Sequence, residues 1–89
     1  MTSMRVLVTG AASGIGRATC VRLARDAKGR GGAAKIAAVD LGPSPGLDGL
    51  VKELQGLGAE PLPLHADMGS VDGPARVVGE ALARFGGLD

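Results

Sequence analysis

Tyrosine and tryptophan are absent from this sequence, and Phe85 is its single aromatic side chain, so stacking on aromatic rings cannot drive recognition. One cysteine, Cys20, excludes an internal disulfide and cannot build a zinc site, which fits a reducing compartment. Charge of one sign is equally scarce. Ten basic side chains stand against nine acidic ones with no sustained run of either, giving a formal net charge of +1 and no electrostatic case for a nucleic-acid partner. No stretch approaches the roughly 18 apolar residues that span a bilayer. Residues 1–9 lead directly into a strand-like segment, so the sequence reads as a cytoplasmic protein with neither leader nor membrane partner.

What the chain does have is glycine, 16 in 89 residues, interleaved with short apolar runs. That length predicts one small domain over residues 1–89, with a modest core. Residues 4–9 (MRVLVT) read as a buried strand ending at Gly10. Residues 14–28 read as an amphipathic helix that buries Gly16, Cys20, Leu23, Ala24 and Ala27, turns its arginines to solvent and stops at the glycines around Gly31. Residues 35–40 (KIAAVD) form a second buried strand. A Pro/Gly-rich turn over 42–46 follows, and then a helix with Leu47, Leu50, Val51, Leu54 and Leu57 inward.

Residues 60–66 (EPLPLHA) read as a third strand. Pro61 and Pro63 lack N–H groups on the same side, which places this strand at a sheet edge. A third helix over 70–85 is predicted, capped by Ser70, with an apolar stripe of Val71, Ala75, Val78, Leu82 and Phe85. Arg76, Glu80 and Arg84, spaced by four, can pair on its surface. Right-handed crossovers then give an α/β fold: a partial Rossmann arrangement, βαβαβα, with parallel strand order 3-2-1, helices on both faces and a chain that stops before a fourth strand.

Gly10-Ala11-Ala12-Ser13-Gly14-Ile15-Gly16 connects the first strand to the first helix, where unpaired N–H groups can meet a pyrophosphate. Gly10 permits the turn, Gly14 permits close approach of a cofactor, and Gly16 permits close helix–strand packing. Such a turn alone fits a purely structural role equally well. Asp40 adds weight, because it ends the second strand 24 positions after Gly16, near the roughly 20 expected for an acid that binds the adenosine ribose. A carboxylate there would repel the additional phosphate of NADP, although a solvated aspartate before a turn is the bland alternative. A P-loop is excluded, since Arg17-Ala18 follows Gly16 in place of Lys-Ser/Thr.

Thr9 to Gly16 (TGAASGIG) resembles the TGxxxGxG cofactor motif of short-chain dehydrogenases/reductases. Downstream, Asp40 is similar to that family's ribose-binding acid, Asp67-Met68 to its adenine-contacting pair, and residues 85–89 (FGGLD) to the approach to its fourth strand. The resemblance implies an NAD(H) site formed by Gly10, Ser13, Gly14, Ile15, Gly16, Asp40, Leu41, Asp67 and Met68. Ser13 and Leu41 stand where NADP-preferring relatives often carry a basic residue, which favours NAD.

The Asn-Asn-Ala-Gly strand end, the serine and the Tyr-x-x-x-Lys motif of that family are not found here, so no catalytic residue is assigned and the chain alone is expected to be inactive. The leading expectation is the NAD-binding portion of an oxidoreductase acting on alcohol or carbonyl groups. A small-molecule substrate belongs to a full-length form only, and a homo-oligomer is compatible with such a form. The alternatives are a non-catalytic module for NAD or another adenine nucleotide, and an inactive truncated product. Cys20 reads as core packing and His65 as a polar strand end. Without the resemblance, Asp67 divides evenly between a turn or cap and an adenine contact.

Overall fold

A computed structural model describes residues 3–42 and 45–89. Among the described residues, six elements alternate: β1 (Ser3–Thr9), α1 (Gly14–Gly29), β2 (Ala33–Asp40), α2 (Pro45–Gly56), β3 (Glu60–His65) and α3 (Gly73–Phe85). The strands make one parallel sheet in the order β1-β2-β3, with Thr9 beside Val39 and Asp40 beside His65. This is the expected arrangement, with the two prolines of β3 on a strand that, among the described residues, pairs only with β2.

Strand alternation divides the core between the two faces. Ala34, Ile36 and Ala38 of β2 join Cys20, Ala24 and Ala27 of α1 and Leu47, Leu50 and Leu54 of α2 on one face. Ala37 and Val39 join Leu64 of β3 and Val77, Ala81 and Phe85 of α3 on the other. Residues 36–39 are all buried, as a central strand covered on both sides requires. Sequence periodicity located the inner faces of α1 and α2 because their buried positions follow one apolar stripe.

Two expectations are corrected. Of the turn expected over 42–46, Pro43 and Ser44 lie outside the described residues, but Pro45 and Gly46 belong to the first turn of α2. Proline is tolerated there because that N–H would have no intrahelical partner. The second correction concerns α3, which begins at Gly73 after Asp72 and buries Gly73, Val77, Ala81 and Phe85. Of the expected stripe only Phe85 is buried: Val71, Val78 and Leu82 are 96%, 39% and 44% exposed, and Ala75 is exposed as well.

The physical reason is close approach. A Cβ on Gly73 would lie 2.2 Å from the Asp67 carbonyl oxygen, so the helix enters on its smallest residue. The i, i+4 row that follows it faces the sheet. Ser70 lies before the helix, but its hydroxyl accepts the Gly73 N–H at 3.0 Å and donates to the Asp67 carbonyl at 2.8 Å, closing the loop in front of α3. The expected surface pairing is realised between Arg76 and Glu80, at 3.4 Å.

Candidate functional site

Parallel strands end on the same rim, so the register brings the loops after β1, β2 and β3 together at one edge of the sheet. The glycine loop is bound to the end of β2 by two bonds. The Ala11 N–H donates to the Val39 carbonyl at 3.0 Å, and the Ala12 N–H donates to Asp40 Oδ2 at 2.8 Å. Asp40 Oδ1 accepts the Leu41 N–H at 2.8 Å. Each carboxylate oxygen thus has one backbone donor and retains lone-pair capacity for a further one.

Gly10 and Gly14 adopt φ of +63° and +59°, conformations that L side chains rarely take, and a Cβ on either would meet no atom within 4 Å among the described residues. Gly16 is different. A Cβ there would lie 2.1 Å from the Gly10 carbonyl oxygen, so the first turn of α1 rests directly on the loop backbone. Gly10 thus serves the turn and Gly16 the close helix packing expected of them, while Gly14 adds a second left-handed position beside open space.

Ser13 precedes α1 in an extended conformation and makes no side-chain cap. The first backbone bond of the helix runs from the Arg17 N–H to the Ser13 carbonyl, at 3.4 Å. Among the described residues, the N–H groups of Gly14, Ile15 and Gly16 have no acceptor. This is the donor set from which a helix N-terminus binds an anion. Ile15 in the first turn of α1 and Leu41 directly after β2, at 87% and 71% exposure, are large apolar side chains left uncovered.

Asp67 and Met68 follow β3 on the same rim. Asp67 Oδ1 accepts the Gly69 N–H at 2.8 Å, which gives the residue a local turn role whatever else it contacts. Met68 is half-buried against the core beneath α3. The site residues predicted from the sequence are therefore gathered at one edge. His65 stands there as a strand end, with its carbonyl accepting Arg76 Nη2. Cys20 lies deep between α1 and the sheet, where burial pushes its thiol up to about 11. No group of three or more His, Cys, Asp or Glu residues able to hold a metal occurs among the described residues.

The arginines of α1 are expected on a solvated face, and Arg17 departs from that expectation. Its Nη1 donates to the Gly46 carbonyl at 2.9 Å and its Nη2 to Glu53 Oε1 at 3.1 Å, reaching across to α2. Gly46 in turn fits tightly against the loop, since a Cβ on it would lie 2.8 Å from the Ala12 carbonyl oxygen. Neither contact had a local signal: Gly46 and Gly73 are two among 16 glycines, and the reach of Arg17 depends on where α2 packs. By contrast, Arg22 pairs with Asp26 on the exposed side of the same helix.

Comparison with known proteins agrees with this architecture. Residues 4–89 match the short chain dehydrogenase family. Over 83 residues the chain is 39% identical to the short chain dehydrogenase/reductase AacuN of Aspergillus aculeatus, which takes in 93% of this chain and 29% of that protein. The structure of an alcohol dehydrogenase from the archaeon Thermococcus sibiricus, complexed with 5-hydroxy-NADP, superimposes with a TM-score of 0.84 at 28% identity, over 99% of this chain and 35% of that one. The NADH-dependent reductase A1-R', complexed with NAD, gives a TM-score of 0.83 at 27% identity, over 99% of this chain and 33% of that one. The chain thus spans about a third of the length of the relatives it matches. Because the match reaches into all six elements and the strand order is the one the motif implies, this chain belongs to the short-chain dehydrogenase/reductase family.

Proposed function

We propose that these residues form the dinucleotide-binding portion of an oxidoreductase that takes NAD and acts on alcohol or carbonyl groups of a small molecule. The carrying observation is the set of unpaired N–H groups at Gly14, Ile15 and Gly16 on the same rim as the Asp40 carboxylate. A pyrophosphate suits the first and a ribose diol the second. The open space at Gly10 and Gly14 leaves room for the backbone to be approached closely.

In this reading Gly10, Ser13, Gly14, Ile15 and Gly16 hold the phosphates, Asp40 accepts from the ribose hydroxyls, and Leu41, Asp67 and Met68 border the adenosine end. NAD supplies hydride acceptance and NADH hydride donation when bound. No catalytic group is assigned among these 89 residues. The carboxylate of Asp40, together with neutral Ser13 and Leu41, favours NAD over NADP, because the additional phosphate would meet a like charge and no cation at those positions. The proposed domain comprises residues 1–89. A cytoplasmic location is proposed with it, in keeping with the absence, among the described residues, of any helix long and apolar enough to cross a membrane.

Calorimetric titration of the purified chain with NADH and with NADPH tests the assignment. NADH should bind more tightly, and Asp40→Ala should reduce or remove that preference. Tighter binding of NADPH by the unaltered chain would reject the role of Asp40.

A further inference from the structure

The guanidinium of Arg17 leaves the first turn of α1, immediately after the motif glycines, and ends on α2. One edge of its planar fork takes the Gly46 carbonyl at 2.9 Å and the other takes Glu53 Oε1 at 3.1 Å, two acceptors one and a half to two turns apart on α2. The charge is thereby matched by a carboxylate, and the α2 backbone is fixed at its first turn. That turn carries Gly46, whose α-carbon lies so close to the Ala12 carbonyl that no Cβ would fit. The opposite side of the Ala12 residue donates its N–H to Asp40 Oδ2 at 2.8 Å.

These contacts connect in sequence: Glu53 to Arg17, Arg17 to Gly46, Gly46 to Ala12, and Ala12 to Asp40. We propose that Arg17 is a positioning residue for dinucleotide selection, clamping the start of α2 against the glycine loop so that the Asp40 carboxylate is held where a ribose diol is accepted and an additional phosphate is repelled. The inference rests on the reading of Asp40 as the ribose-binding acid. Arg17 itself touches neither ribose nor phosphate in this scheme, and its effect passes through the loop.

Loosening the clamp should widen the positions open to Asp40. The binding lost is then mainly that of NADH, which uses the carboxylate, whereas NADPH loses little and is repelled less. Arg17→Ala should weaken NADH binding by about tenfold, the equivalent of one charge-assisted hydrogen bond, and should change NADPH binding much less. Hydrogen exchange at the Ala12 amide should accelerate by a similar factor with no ligand present. Arg17→Lys keeps the charge but not the fork, so it should recover part of both effects. Arg22→Ala, which breaks a surface pair on the same helix, should change neither.

The decisive experiment is titration of these variants with NADH and NADPH alongside amide exchange and thermal unfolding. A purely structural role would lower the unfolding temperature and weaken both dinucleotides by one common factor, overturning the inference alone. Should Arg17→Ala fail to fold, Arg17→Lys carries the same comparison, and an unchanged NADH/NADPH ratio with unchanged Ala12 exchange would overturn it. An unaltered chain that binds neither dinucleotide would reject the functional reading and this inference with it, while accelerated Ala12 exchange in Arg17→Ala would still establish the clamp itself.

Discussion

Asp40 and Ala12 are joined across the rim of the sheet by a 2.8 Å bond from the Ala12 N–H to the Asp40 carboxylate. The acid proposed to select the dinucleotide therefore also holds the loop proposed to grip its phosphates. Substitution separates the two roles. Asp40→Asn can present its amide oxygen to Ala12 but leaves the exposed Leu41 N–H to water, so stability in urea should fall by no more than about 1 kcal/mol, while the charge that opposes NADPH is lost. Asp40→Ala leaves the Ala12 N–H without its acceptor and should cost about 1–2 kcal/mol in addition. Equal destabilisation by both changes would mean that the bond contributes nothing to the loop.

The motif glycines should respond differently to alanine. At Gly16 the new methyl group would fall 2.1 Å from a backbone carbonyl oxygen that cannot rotate away, so Gly16→Ala should cost about 3 kcal/mol or more, or abolish folding. At Gly14 the space is open and only the left-handed backbone penalty remains, about 1–2 kcal/mol. Chemical denaturation of the two variants provides the check. A Gly16→Ala chain as stable as Gly14→Ala would contradict the close packing of α1 on the loop.

That contrast also shows how far the sequence could be read. Motif spacing locates the turn at Gly10 and the close packing at Gly16, and two prolines place β3 at the edge, because each of these follows from the backbone chemistry of one residue type. The same reasoning misplaced the inner face of α3. A rule that follows bulk selects Val71, Val78 and Leu82, whereas the helix approaches the sheet on Gly73 and Ala81, whose value lies in what they leave out. The clamp by Arg17 was hidden for a related reason. Its partners Gly46 and Glu53 lie 29 and 36 positions away, and only the packing of α2 brings them within reach.

Arg5 and Asp89 link the outer side of β1 to the residues that follow α3. The Asp89 N–H donates to the Arg5 carbonyl at 2.8 Å, the Arg5 N–H donates to Asp89 Oδ2 at 2.8 Å, and the side chains pair at 3.0 Å. Gly87 leaves room for the guanidinium, since a Cβ there would lie 2.7 Å from Nη1. The side-chain bond to Arg5, followed by its backbone N–H, holds the Asp89 carboxyl below its ordinary 3.8. A lowered folded value means that the stabilisation is present above pH 3.8 and is lost as pH falls through the folded value. A carboxyl-carbon titration by NMR should place the Asp89 midpoint below 3.8 in the unaltered chain and return it toward 3.8 in Arg5→Gln. An identical midpoint in both chains would show that the pair does not persist in solution.

Cys20 is fully buried on the inner face of α1, in the core shared with Ala24, Ile36 and Leu50. Burial disfavours the thiolate and pushes the thiol from 9.0 up to about 11. Because the folded state retains this proton more tightly than the unfolded state, the associated stability is intact below pH 9 and declines between pH 9 and about 11. The decline should be on the order of 3 kcal/mol and should be missing from Cys20→Ala, which otherwise starts from a slightly weaker core. Labelling by a thiol reagent at pH 8 should proceed at the rate of unfolding and accelerate with urea, since only the opened chain presents a reactive sulfur. Rapid labelling under native conditions, with no urea dependence, would place Cys20 outside the core and remove the packing argument for this face of α1.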